Sequence, residues 1–166
     1  MHKYLIFYEM PLQQQTTKYP RTPHLPWSPS ATADDTHTPN THHFDGQQVV
    51  VTEKMDGENT TMYRDAIHAR SVDSRHHPSR DWVKKLHAEL GHQIPIGWRI
   101  CGENLYAKHS IAYTSPESYF YLFSIWDEKN VYLSWVETIE WAAMLDLPTP
   151  PALYDGLWDA DSIKRI

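Results

Sequence analysis

The sequence predicts an α+β domain built from antiparallel strands and a few helices, and three features carry that reading. Strand-like runs separated by turn signals crowd the centre of the chain. Two segments carry a helical period with recognisable caps. The longest apolar runs, "YLIFY" and "YFYLF", are too short to span a bilayer, so no membrane partner is expected. At 166 residues the chain fits a single domain spanning residues 1–166, and a domain of that size buries roughly two thirds of the surface it would expose unfolded.

The elements follow in order. "KYLIFYE" at residues 3–9 reads as a first strand. Residues 11–46 form a long proline-rich loop in which no helix or strand period survives, and the embedded "HLPW" offers an aromatic anchor that pins it to the body. Strand-like runs at about 48–54, 58–64 and 66–71 are separated by "DG" and "RD", which suits an antiparallel meander. "SRDWVKKLHAEL" follows as a helix, with Ser79 as N-cap, Trp82, Val83, Leu86 and Leu90 on one face, and Gly91 as the stop. Strands are expected at roughly 97–103 and 119–126, and "KNVYL" as a returning hairpin arm. "SWVETIEWAAMLDLP" is a second helix with a Ser134–Glu137 capping box, closed by Pro148. "DADSIKRI" reads as one more short helix. No internal repeat is visible.

Composition narrows the function. The chain is 40% hydrophobic and 22% charged, and its seven Trp and ten Tyr supply flat faces as well as core volume. A net charge of −6 argues against a protein that coats nucleic acid, while leaving room for an enzyme that grips it through a local basic patch. Cys101 has no second cysteine to pair with, and the N-terminal "MHKYLIFYEMPLQQQ" lacks a signal-peptide pattern, so a reducing, cytoplasmic location is expected. His42–His43 and His76–His77 are adjacent pairs, which on a strand point to opposite faces, so neither makes a natural bidentate metal ligand.

The chemistry centres on "EKMDGEN", which places Lys54 after a strand-like "VVVTE" and before an Asp-Gly turn signal. Taken alone, Lys-x-Asp-Gly reads readily as an exposed hairpin with a solvated lysine. A lysine amine becomes a nucleophile only when deprotonated, through desolvation or a neighbouring cation, and a strand end facing a closed pocket suits that requirement. Downstream, "GWRICGENLYA" sets Glu103 at the end of another strand, and "YFYLFSIWDE" is a third strand rich in aromatics.

In this order and spacing, "EKMDGEN", "ARS", "GENLYA" and "YLFSIWD" resemble the nucleotidyltransferase motifs of ATP-dependent RNA ligases of the double-strand-break-sealing and RNA-editing type, over roughly residues 45–130. The resemblance implies a ligase-type, ATP-grasp-like core, with ATP and Mg²⁺ as cofactors and RNA 5′-phosphate and 3′-OH ends as partners. It further implies that Lys54 attacks the α-phosphorus of ATP and that Glu53 helps read the adenine edge. Asp56 and Gly57 belong to the same nucleotide-binding motif. Asn59 serves the ribose and phosphates, Arg70 the nucleotide and the 3′-OH end, with Arg75 as the alternative. Glu103 binds the ribose or a metal-bound water, and Phe123 stacks on adenine, with Trp126 as the alternative. Without the resemblance, Glu103 reads equally as a strand-end carboxylate paired with Arg99 or Lys108, and Phe123 as core. Lys108, His109 and Ser110 either line the phosphate or RNA-end pocket or form a plain loop.

Two later family motifs, a Glu-Gly strand and a Lys-x-Lys strand, find no match. "LYDGLWD" has no β-branched run after its Asp-Gly, and "SIKRI" has a single lysine. The final strands of the domain are therefore expected to be missing, leaving an open sheet edge for a partner chain or for self-association. Besides an RNA ligase, the sequence suits a nucleotide- or RNA-end-binding module without turnover. It also suits a related nucleotidyltransferase, a DNA ligase or capping guanylyltransferase.

Overall fold

The computed structural model describes residues 16–28, 35–107 and 109–166. The strand expected at 3–9, and Lys108, lie outside the described residues. The chain folds as β1 (Gln48–Thr52), β2 (Glu58–Met62), β3 (Ile67–Ala69), α1 (Asp81–Leu90), β4 (Arg99–Asn104), β5 (Phe120–Trp126), α2 (Trp135–Met144), β6 (Ala152–Leu157) and α3 (Ala160–Lys164). Strands β3-β2-β4-β5 form one antiparallel sheet, and β1 pairs antiparallel with β6 in a second. This is the α+β architecture that the alternation of elements predicts.

The expected meander holds only for β2 and β3. Strand β1 does not turn back onto β2 through "DG"; it pairs with β6, and Glu53 N–H extends that pairing by donating to the Pro151 carbonyl at 2.9 Å. Gly57 is needed for close approach rather than for a hairpin. A Cβ there would lie 2.4 Å from the Asn104 carbonyl oxygen, where β2 meets β4. Strand β6 runs through the Asp-Gly of "LYDGLWD", where no β-branched run follows. Its partner β1 supplies the β-branched residues, Val49, Val50 and Val51, and a half-exposed strand needs none of its own.

Two helix boundaries also differ. A 3-10 turn at Pro78–Arg80 precedes α1, and His77 rather than Ser79 caps it, the His77 ring accepting from Ser79 N–H at 3.2 Å. Gly91 follows α1 in right-handed helical geometry and leads into a second 3-10 turn, Gly91–Gln93, rather than stopping the chain. Helix α2 has the expected capping box, Ser134 Oγ accepting from Glu137 N–H and the Glu137 carboxylate from Ser134 N–H. It ends at Met144, and Asp146 reverses the chain with φ of 55° before Pro148 is reached. The "KNVYL" arm returns along β5 as a bridge between Trp126 and Tyr132.

Alternation along the large sheet divides its residues between two faces. Met62, Ile100, Phe120, Leu122 and Ile125 point toward α1 and α2 and form the core with Val83, Leu90, Ala142 and Leu145. The same face carries Glu58, whose carboxylate takes a bidentate pair from Arg80 at 2.7 and 2.5 Å. The opposite face carries Asn59, Thr61, Cys101, Glu103 and Phe123. Register shifts in β5 make this possible: Gly102 pairs with Leu122 and Cys101 with Ser124, so Phe123 is the extra residue of a β-bulge. The bulge lets both Leu122 and Ile125 enter the core while Phe123 and Trp126 stay on the other face.

That second face is covered in part by the proline-rich segment. Thr17 N–H donates to the hydroxyl of the buried Tyr63 at 2.6 Å, and Tyr19 sets its ring edge-to-face against Phe123 with centroids 5.3 Å apart. Trp27 and Phe44 pack on Trp158, and Lys164 Nζ lies 4.7 Å over the Trp27 ring. The anchor anticipated from "HLPW" is therefore Trp27, and its dock is the chain between β6 and α3. A short bridge between His24 and His37 closes the loop on itself.

The tightest packing constraint at the core is Gly102, where a Cβ would sit 2.3 Å from Phe120 Cζ and 2.6 Å from the Tyr121 carbonyl oxygen. Gly102→Ala is expected to lower stability by about 1–3 kcal/mol, the usual cost of overpacking a filled core. Urea denaturation of the variant checks this, with an unchanged midpoint as the contrary result.

Candidate active site

Strand β1 delivers Lys54 to the rim of the face left open beside the Tyr19 segment. Here a cavity of about 670 Å³ gathers Glu53, Lys54, Gly57, Asn59, Arg70, Glu103 and Phe123. Seven of the eight residues that the resemblance places first at the nucleotide site thus share one space, although they come from the β1–β2 connection, β2, β4, β5 and the loop after β3. Asp56 is the exception. It is absent from the lining, and its carboxylate accepts from Ile111 N–H at 2.6 Å while its own N–H donates to the Tyr113 hydroxyl at 2.9 Å, so it ties down the loop after β4.

Lys54 is exposed. Water reaches its amine, so the closed, desolvating pocket that the strand-end position suggested is not found in the free chain. Arg75 lies at a separate depression beside His76 and Arg80, and Trp126 faces a neighbouring cleft, so the alternatives to Arg70 and Phe123 stand apart from Lys54.

Glu103 is a perturbed acid in the cavity. It is half-buried, and burial pushes its carboxyl pKa up; Gly57 N–H, donating to Oε1 at 3.1 Å, pulls the other way, as do Lys54 and His109. Neither Arg99 nor another cation pairs with it in a salt bridge among the described residues. Arg99 instead spans Asn130 Oδ1 at 2.6 Å and the Trp126 ring at 4.6 Å. Asn59 Oδ1 is buried with no hydrogen-bond partner. An unmet acceptor of this kind costs about 1–3 kcal/mol, and this one belongs to a residue that lines a cavity of nucleotide size.

Among the described residues no three His, Cys, Asp or Glu side chains converge to cage a metal ion. A lone carboxylate such as Glu103 suits a Mg²⁺ ion that keeps most of its waters and takes its other ligands from phosphates. Sequence reasoning missed the wall contributed from the proline-rich segment, where Tyr19, Thr22, His24 and Asp35 line the cavity. No periodicity marks those residues, and the aromatic anchor at Trp27 was the one sign that the segment packs down. His109, left open between pocket and loop, lines the cavity.

A family model described as RNA ligase matches residues 47–166. The match runs through β6 and α3, past the stretch in which the motifs were recognised. No curated protein matches the chain. With most of its length covered by that model, and with the motif lysine, glutamate and aromatic drawn into one cavity, the chain belongs to the RNA ligase family.

Proposed function

We propose that the chain is an ATP-dependent RNA ligase in which Lys54 carries AMP. The observation that supports this most directly is the convergence of Lys54, Glu103, Phe123 and the partnerless Asn59 on one cavity. In the first step the Lys54 Nζ lone pair forms a bond to the α-phosphorus of ATP, the bond to the bridging oxygen breaks, pyrophosphate leaves with that electron pair, and the nitrogen gives up a proton to solvent. Mg²⁺, with Glu103 as its carboxylate, would neutralise phosphate charge there. The adenylyl group then passes from Lys54 to a 5′-phosphate oxygen of RNA, and the 3′-OH oxygen, losing its proton, attacks the 5′-phosphorus and displaces AMP to make the phosphodiester.

Each residue has a physical task in this sequence. Phe123, held out of the core by its bulge, offers a stacking face for adenine. Asn59 supplies the acceptor that nothing in the protein uses, Glu103 the carboxylate for a hydrated Mg²⁺ or the ribose, and Arg70 a cation for phosphate. Glu53, whose N–H is engaged with Pro151, has its carbonyl and side chain left for the adenine edge. The exposure of Lys54 gives the bound nucleotide itself the task of excluding water from the amine.

A second reading, nucleotide or RNA-end binding without turnover, is favoured by one observation. Lys164, the lysine of "SIKRI", lies over the Trp27 ring and outside the cavity lining, so it supplies no grip on the α-phosphate. A partner chain along the open edge of β6 would be one means of completing the site.

Sealing assays separate these readings. The wild-type chain is expected to join nicked RNA with ATP in preference to nicked DNA or GTP, and Lys54→Ala to join none. Phe123→Ala should raise KM for ATP about tenfold through lost stacking. Tight ATP binding with no joining by the wild type would select the binding module.

Glu103 adds a stability signature. Its folded pKa lies above its unfolded value, so the native state loses stability as pH rises through that interval, and the loss is complete above the folded value. Glu103→Gln removes the titration. The variant is expected to match the wild type well below the ordinary carboxyl range and to melt higher at neutral pH, while failing to seal RNA. A lower melting temperature at neutral pH would contradict this.

A further inference from the structure

The Tyr19–Phe123 pair is a partition with a second hollow behind it. Tyr19, Pro20, Thr22 and Phe123 line the Lys54 cavity on one side, and on the other the same residues border a cleft of about 420 Å³. The far wall of the cleft is aromatic: Trp126, Tyr132 and Trp135. Trp126 is held rigidly, with Arg99 over its ring at 4.6 Å and Tyr132 edge-on at 5.7 Å, and its indole Nε1 has no hydrogen-bond partner. Tyr132 is 67% exposed, a large ring presented to solvent at the rim.

The cleft also adjoins charged surface. Arg21 lines it and, on its other side, shares with Arg70 and Asp35 a small pocket of about 140 Å³ that also carries Thr22 and Thr36. Arg70 in turn lines the Lys54 cavity. The segment Tyr19–Thr22 therefore lies where three hollows meet: the Lys54 cavity, a pocket carrying Arg21, Arg70 and Asp35, and an aromatic cleft. Flat rings close to an active-site cavity match the unstacked bases of a single strand.

Building on the RNA-ligase reading, we propose that the cleft walled by Trp126, Tyr132 and Trp135 holds an unpaired base of the RNA strand whose end lies in the Lys54 cavity. The base stacks on the exposed ring of Tyr132. Recognition here is of single-stranded RNA next to the junction, by ring stacking rather than by a pairing code. The site would favour ends with an unpaired nucleotide over blunt duplex ends.

The test uses the full chain and a 5′-phosphorylated single-stranded RNA, with affinity read by fluorescence anisotropy and by quenching of tryptophan emission. Tyr132→Ala is expected to weaken binding about tenfold and Tyr132→Phe by less than twofold, the ring being what matters. Thermal melting of both variants checks that they are folded. An abasic nucleotide, moved one position at a time from the RNA end, should reproduce the tenfold loss at one position in the wild type and add nothing further in Tyr132→Ala. Equal affinity of Tyr132→Ala and wild type would overturn the proposal, as would a loss that no single abasic position reproduces. Binding needs no turnover, so absence of a lysyl adduct in the wild type would count against the proposed reaction and not against this site.

Discussion

One extra residue in β5 makes the rest of the architecture possible. A regular strand would alternate strictly, and the two-residue period would force a choice between burying Ile125 and exposing Phe123 and Trp126 together. Because Phe123 is bulged out between the pairs Gly102–Leu122 and Cys101–Ser124, the strand serves both faces. Leu122 and Ile125 complete the core against the helices, while Phe123 and Trp126 face the other way. Gly102 fits beside the bulge because no Cβ has room against Phe120. The Lys54 cavity, its Tyr19 wall and the aromatic cleft behind that wall all lie on the face that the bulge equips.

Much of this was legible in the residues. The capping box at Ser134 and Glu137 locates α2 without ambiguity, because both hydrogen bonds are local. The runs that become β2, β4 and β5 announce themselves by β-formers between turns, and Asn59, Glu103 and Phe123 within them line one cavity. What was not legible depends on long-range contact. The "DG" after Lys54 imitates a hairpin signal, yet Gly57 is glycine because Asn104 presses on it from a strand far along the chain. Strand β6 lacks β-branched residues because the valines of β1 supply them across the pair. Tyr19 belongs to a segment with no period at all, and only the folded sheet reveals that it walls the cavity.

The cavity also shows where stability is given up. Glu103 is held in a half-buried position that raises its pKa, with a single backbone N–H from Gly57 for support. Asn59 keeps a buried acceptor without a partner. A fold selected for stability alone would fill both needs internally. Both groups lie at the same cavity. Glu58, the neighbour of Asn59, is matched by its bidentate pair with Arg80, while His68 Nε2, Arg99 Nε and Trp126 Nε1 join Asn59 Oδ1 as buried atoms without partners.

An amine at Lys54 that acts as the nucleophile toward ATP leaves a covalent trace. Intact-protein mass after incubation with ATP and Mg²⁺, for this chain and for Lys54→Ala, reads that trace. The expected result is a gain of one AMP that is absent from the variant. ATP bound without any covalent gain, or a gain that persists in Lys54→Ala, would rule out Lys54 as the nucleophile.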